Sequence, residues 1–212
     1  MRPMAESLRW PQLILVNGPS SAGKTTLCRA LQDTILHPYL VIGFDDFVFM
    51  APPRYYLGAD TGRQDQRDAF TAQGVEMVPT AKPGEPPCVV AQFGPVFRRL
   101  VDSMAPAVRS LVDAGNAVIF DHVLHDAAMF DSYHRATAGL VVLEVGVSCP
   151  LATLEARERE RGDRVLGRAR GLYEVVHAFV DYDVMVDTGV MSTAECVERI
   201  LNVLSCAEAE RA

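Results

Sequence analysis

The stretch Leu13-Ile-Leu-Val-Asn-Gly-Pro-Ser-Ser-Ala-Gly-Lys-Thr-Thr26 decides the fold. Leu13 to Val16 is a short apolar run that reads as a buried strand, and Asn17-Gly18 turns it. From Gly23 through Thr34 the apolar positions Leu27, Ala30, Leu31 and Ile35 recur at helical spacing along one face. Between strand and helix, Gly18 to Thr25 satisfies the pattern G-x-x-x-x-G-K-[ST] in full, in the context its mechanism demands. Gly18 and Gly23 let the chain turn tightly, so that the N–H groups of Ser20, Ser21, Ala22, Gly23 and the helix start at Lys24, Thr25 and Thr26 face the β- and γ-phosphates of a nucleotide. Lys24 is a point charge for the same oxygens, and the Thr25 hydroxyl is a magnesium ligand. ATP with Mg2+ is the expected cofactor pair.

Working outward, Tyr39 to Ile42 reads as a second buried strand that delivers Asp45 and Asp46 at its carboxyl end. Residues 51 to 95 hold much of the proline and little periodicity apart from a short helix near Gln64 to Ala72, and read as a substrate-covering insertion at about 50–95, the competing reading being a surface insertion with no role. Val96 to Ala114 is helical, stopped by Gly115 and bent at Pro106. Ala117 to Phe120 is a third buried strand ending in Asp121, and Leu140 to Val147 a fourth. Pro150 to Arg159 and Ala169 to Phe179 read as helices around a polar loop. Val184 to Val186 is the last strand, before a helix capped by Ser192 or Thr193 with Glu195 placed for a capping box. Strands alternating with helices predict one α/β domain over 1–212, a P-loop kinase-like three-layer α/β/α fold around a mostly five-stranded parallel sheet. Its ligands bind beyond the carboxyl ends of the strands.

Composition is consistent with this. The chain has 212 residues, 49% hydrophobic and 22% charged, in the range of an ordinary globular domain. The net charge of −7 offers no broad basic field, which argues against nucleic acid or an anionic membrane as partner. No CxxC pair or Cys/His cluster stands at zinc spacing, and Cys28 and Cys149, in apolar context, read as reduced, buried thiols. With no apolar leader or spanning segment in the sequence, a cytoplasmic protein is expected; self-association stays open.

Chemistry is expected from four places. Asp45, one element after the P-loop helix, can reach toward a γ-phosphate and take the proton of an attacking hydroxyl; the competing reading is a helix cap. Asp46 falls on the opposite face if strand geometry persists. Asp121 has the form of a Walker B carboxylate that holds magnesium, although a carboxylate closing a strand is also common. Arg157, Arg159, Arg161 and Arg164 are interleaved with Glu155, Glu158 and Glu160 and read either as solvated intrahelical pairs or as a mobile arginine lid at about 157–168. Within that lid Arg161 and Arg164 come first as phosphoryl-facing residues and Arg157 third. His122 and His125 lack an HExxH spacing and read as polar residues near substrate or surface.

Gly18-Pro-Ser-Ser-Ala-Gly-Lys-Thr25, Gly43-Phe-Asp45, Val118-Ile-Phe-Asp121, Val145-Gly-Val-Ser-Cys149, Arg161-Gly-Asp-Arg-Val165 and Tyr182-Asp-Val-Met-Val-Asp187-Thr188 together resemble the chloramphenicol phosphotransferase family. The resemblance implies an ATP-dependent O-phosphotransferase that inactivates an antibiotic at an alcohol. Carried over, Asp45 matches the catalytic aspartate, Gly18 to Thr25 the ATP loop, and Arg157, Arg161 and Arg164 the lid arginines. The chain departs from the family at Asp46, where a serine is expected, at His122, where an acidic residue is, and in the longer, proline-rich stretch from about Met50 to Gln92. The acceptor is thus a small-molecule hydroxyl, chloramphenicol or another antibiotic, a nucleoside or a metabolite. A nucleotide-dependent switch is the reading of another class, and no N-K-x-D motif supports it.

Overall fold

The computed structural model describes residues 10–56, 69–162 and 165–209, with side chains through 205. Strand β1 (Leu13–Asn17) is wholly buried and runs parallel to β5 (Ala117–His122) on one side and β6 (Val142–Ser148) on the other. Strand β2 (Tyr39–Gly43) flanks β5 and β7 (Val184–Asp187) flanks β6, giving a parallel sheet in the order β2-β5-β1-β6-β7. Alternate residues of the inner strands go to opposite faces, as the pleat requires. Ile14 and Val16 join Leu27, Cys28 and Leu31 of α1 (Lys24–Thr34) and Ile200 of α7 (Thr193–Ala209). Leu13 and Leu15 join Phe97, Val101 and Met104 of α3 (Pro95–Asp113) and Tyr133 of α4 (Ala127–Thr137). A sheet buried on both faces needs apolar residues at every position, and this is why β1 and β5 read as continuous runs.

Several expectations change. The second strand is an edge, with only Tyr39 fully buried, and it stops at Gly43. Asp45 and Asp46 lie instead in the first turn of a short helix, α2 (Phe44–Val48). Phe44, Phe47 and Val48 stand at helical spacing and sink into the core, which takes the chain out of extended geometry and cancels the expected alternation of the two aspartates. The insertion contains an antiparallel hairpin, β3 (Val75–Pro79) with β4 (Val89–Phe93), forming a second sheet. Of the helix expected near Gln64 to Ala72, residues 64–68 lie outside the described residues, and the rest holds a turn and a single 3-10 turn at Thr71–Gln73. Helix α5 (Leu151–Arg161) runs two residues longer than expected, whereas α6 (Arg168–Tyr173) ends six residues before Phe179. Helix α4 was not anticipated; Asp126 caps it by accepting from the Met129 N–H at 2.8 Å. The capping box at α7 forms: Glu195 accepts from the Ser192 N–H and hydroxyl, each at 2.7 Å.

Candidate active site

The loop between β1 and α1 is held open by two left-handed residues, Ser21 at φ 64° and Gly23 at φ 83°. Gly18 is required by a close approach: a Cβ there would lie 2.4 Å from the Val147 carbonyl oxygen of β6. Asn17, fully buried, donates to the Val176 carbonyl at 2.8 Å and the Tyr182 hydroxyl at 2.7 Å, and accepts from the Leu124 N–H at 2.9 Å. The loop is thereby tied to three distant segments. Nothing in the motif signals this role, since it lies in side-chain geometry across more than a hundred residues.

Above the loop lies a cavity of about 1020 Å³. Ser20, Ser21, Gly23, Lys24, Thr25 and Thr26 form its floor, while Gly18 and Ala22 are buried and do not line it. From this floor it extends to Thr188, Met191 and Cys196 on the β7 side of the sheet and to Asp45, Asp46 and Val123 on the β2 side. Arg157, Arg161, Arg168 and Leu172 also line it. The structure thus brings Asp45, Lys24, Thr25, Asp121, Arg157 and Arg161 into one cavity; Arg164 lies outside the described residues. Among the described residues none from 50–95 lines it; the hairpin adjoins the cavity-lining helix α6 and shares the core cluster that holds Phe44.

The Thr25 hydroxyl donates to Asp121 Oδ2 at 2.6 Å, and Asp121 is 8% exposed. A hydroxyl and a carboxylate so placed are the oxygen donors that magnesium prefers. Lys24 Nζ donates to the Pro19 carbonyl at 3.0 Å. The Ser20 and Ser21 hydroxyls are buried with no hydrogen-bond partner, two orphaned donors inside a loop of N–H groups, which fits a phosphate. Asp46 turns back and accepts from the Gly43 N–H at 2.7 Å, capping α2, and leaves Asp45 as the half-buried carboxylate of the pair. Arg157 is anchored: it donates to the Thr188 carbonyl at 2.8 Å and to its hydroxyl at 3.2 Å, and that hydroxyl donates to Ala22 O at 2.8 Å.

One of the two histidines differs from expectation. His122 is 3% exposed, wedged against Phe120 and Phe44, and its Nδ1 accepts from the Val123 N–H at 2.7 Å. Burial pulls its pKa down to about 3, so it is a neutral core residue and not a surface group. His125 packs on Phe93, and burial lowers its pKa also. Burial raises the Cys28 thiol, as suits a reduced structural cysteine. Missed in the sequence were Arg168, whose position in the cavity depends on α6, and the buried Glu158.

Residues 11–205, nearly the whole chain, match the family of chloramphenicol phosphotransferase-like proteins. The chain belongs to that family. A Mycobacterium tuberculosis (strain CDC 1551 / Oshkosh) protein provisionally named an O-phosphotransferase is 35% identical over 179 residues, covering 84% of this chain and 75% of its own. Among solved structures, a sugar kinase from Janibacter sp. HTCC2649 aligns with a TM-score of 0.63 at 17% identity, over 94% of this chain and 98% of its own. The APS kinase of Mycobacterium tuberculosis, in complex with AMPPNP and APS, aligns with a TM-score of 0.56 at 14% identity, over 91% and 96%. These likenesses establish a P-loop kinase fold for this member of the chloramphenicol phosphotransferase-like family. Among its described residues no helix is long and apolar enough to cross a membrane.

Proposed function

We propose that this protein is an ATP-dependent O-phosphotransferase that moves a phosphoryl group onto a hydroxyl of a small molecule, with chloramphenicol or a related antibiotic as the first acceptor. The observation that carries this reading is a single cavity in which Asp45 shares the walls with Lys24 and Thr25 of the phosphate loop. The N–H groups of the loop and the orphaned hydroxyls of Ser20 and Ser21 hold the triphosphate. Thr25 and Asp121 would hold magnesium, whose charge offsets that of the phosphates. Asp45 accepts the proton of the acceptor hydroxyl as its oxygen forms the new bond to phosphorus and the bond to the ADP oxygen breaks. Lys24, Arg161 and Arg164 supply positive charge for the transferred group, and Arg157 supports the nucleotide side from its seat on Thr188. The hairpin insertion shapes the acceptor side at one remove, through α6.

The family match and the relative named an O-phosphotransferase support the reaction class. A second reading, the same transfer to another small acceptor, is favoured by Arg168, a cation in the cavity that a neutral alcohol does not require. The test is to incubate the protein with ATP, magnesium and a panel of hydroxylated antibiotics, nucleosides and sugar acids. ADP release and a product heavier by one phosphoryl group support the proposal. Absence of any phosphorylated product across the panel and across cell extracts, with ATP bound, removes it.

A further inference from the structure

No motif announces Arg168. It is the first residue of α6, it lines the same cavity as Lys24 and Asp45, and no ion pair or hydrogen bond joins it to another described residue. Its position is nonetheless tightly defined. The N–H groups on either side of it, those of Gly167 and Ala169, donate to Glu158 Oε2 at 2.7 Å and Oε1 at 2.8 Å. Glu158 belongs to α5 and is 1% exposed. A carboxylate taken out of water is costly unless its lone pairs are engaged, and here each oxygen takes a backbone donor, so the pair of bonds fixes the chain around Arg168.

The far side of that turn rests on the hairpin. The Gly167 carbonyl accepts from the Val89 N–H at 3.0 Å, and a Cβ on Gly171 would lie 2.1 Å from the Val89 carbonyl oxygen, so α6 sits on β4 with no room for a side chain. On the hairpin, the ring of His125 packs on Phe93 of β4. Arg98 already engages the nearby carboxylate of Asp126 at 3.1 Å. What results is a guanidinium in a concave site, held from behind, with no carboxylate of its own among the described residues. Its planar fork of N–H donors matches phosphate and carboxylate oxygens.

We propose that Arg168, held in place by Glu158, is a ligand-contacting cation of this site and binds anionic oxygens on the side of the cavity next to the hairpin. The proposal rests on the phosphotransferase reading and extends it to recognition. The oxygens belong either to the terminal phosphate of the nucleotide or to an acid group on the acceptor, and Glu158 acts as a positioning residue.

The nucleotide arm of the test needs no turnover. ADP and AMPPNP are titrated into wild type, Arg168→Gln, Arg168→Lys and Glu158→Gln, each checked for an unaltered far-UV spectrum. If Arg168 meets the terminal phosphate, Arg168→Gln weakens AMPPNP by roughly tenfold or more and leaves ADP unchanged, with Lys rescuing in part. The acceptor arm compares phosphoryl transfer to chloramphenicol, a neutral alcohol, with transfer to gluconate, a hydroxy acid. If Arg168 meets the acceptor, both nucleotides bind as in wild type and Arg168→Gln lowers kcat/KM for the acid alone. In either arm Glu158→Gln produces a smaller change of the same kind and adds nothing in the Arg168→Gln background, which general loosening of the fold would not reproduce. Should Glu158→Gln fail to fold, the Arg168 variants decide. Unchanged nucleotide affinities with no acid-specific loss, whether turnover is equal or no acid is phosphorylated, overturn the proposal. A lack of transfer by wild type beside a selective loss of AMPPNP affinity would instead overturn only the kinase reading.

Discussion

The Thr25 hydroxyl reaches Asp121 at 2.6 Å, joining the first turn of α1 to strand β5 across 96 residues of sequence. The contact places an oxygen pair beside the phosphate loop that neither element forms alone.

Asp121→Asn keeps the size of the side chain and removes its charge. If Asp121 holds magnesium as proposed, the magnesium concentration for half-maximal phosphoryl transfer should rise by roughly tenfold or more, because a neutral amide is a weaker ligand than a carboxylate. A magnesium titration of turnover checks this, and an unaltered midpoint would mean that the carboxylate serves only as the acceptor for Thr25.

Asp45→Asn should lower kcat by about two to four orders of magnitude, the range ascribed to a general base, with ATP affinity nearly unchanged. Because Phe44, Phe47 and Val48, and not Asp45, hold α2 in the core, the folded structure should persist. Steady-state rates alongside nucleotide titration decide it. Loss of ATP binding would move Asp45 from the acceptor side of the reaction to the nucleotide side.

The two motif glycines should fail in different ways. Gly18→Ala drives a Cβ to 2.4 Å from a backbone oxygen of β6, which cannot rotate aside, and should destabilise by about 2 kcal/mol or more. Gly23→Ala meets open space and suffers only the left-handed backbone at φ 83°, about 1 kcal/mol. Urea unfolding midpoints rank the two; the opposite order would contradict the geometry.

Acid should weaken the fold through histidines kept neutral. Burial lowers the pKa of His125 and of His177, whose Nδ1 lies 2.9 Å from the Tyr182 hydroxyl. Unfolded chains take up these protons near pH 6.5, where the folded protein does not, so the unfolded state binds more protons. The stabilisation is present in full above that value and is lost as pH falls below it. Urea midpoints at pH 7.5 and 5.5 should separate for wild type, and the separation should narrow in His125→Asn.

What the sequence made legible was whatever is contiguous. The phosphate loop is one unbroken motif, and the strands buried on both faces are unbroken apolar runs, so the sheet and its ligand edge could be read directly. Asp45 was placed in the right neighbourhood on the wrong element, because Phe44, Phe47 and Val48 form a helical face little more than one turn long. Val75 to Pro79 offers one weak alternation closed by a proline, too little to name a hairpin whose partner begins ten residues on. Helix α4 had its signal in Asp126 followed by Met129, Tyr133 and Thr137, overlooked beside the histidines. Glu158 and Arg168 could not be singled out, since one charge within or just beyond a run of alternating signs gains its meaning only when the backbone folds around it.

Among the described residues the hairpin shares no paired strand with the five-stranded sheet; it touches that sheet through side chains, Val75 and Phe93 in the core beside Phe44, and through the backbone contact of β4 with α6. Substitutions accumulating in that ribbon leave the register of the larger sheet untouched, so lineages of such enzymes are free to drift in what they modify while inheriting how they handle nucleotide. Grafting the ribbon together with α6 from one relative into another should therefore transplant acceptor choice as a unit.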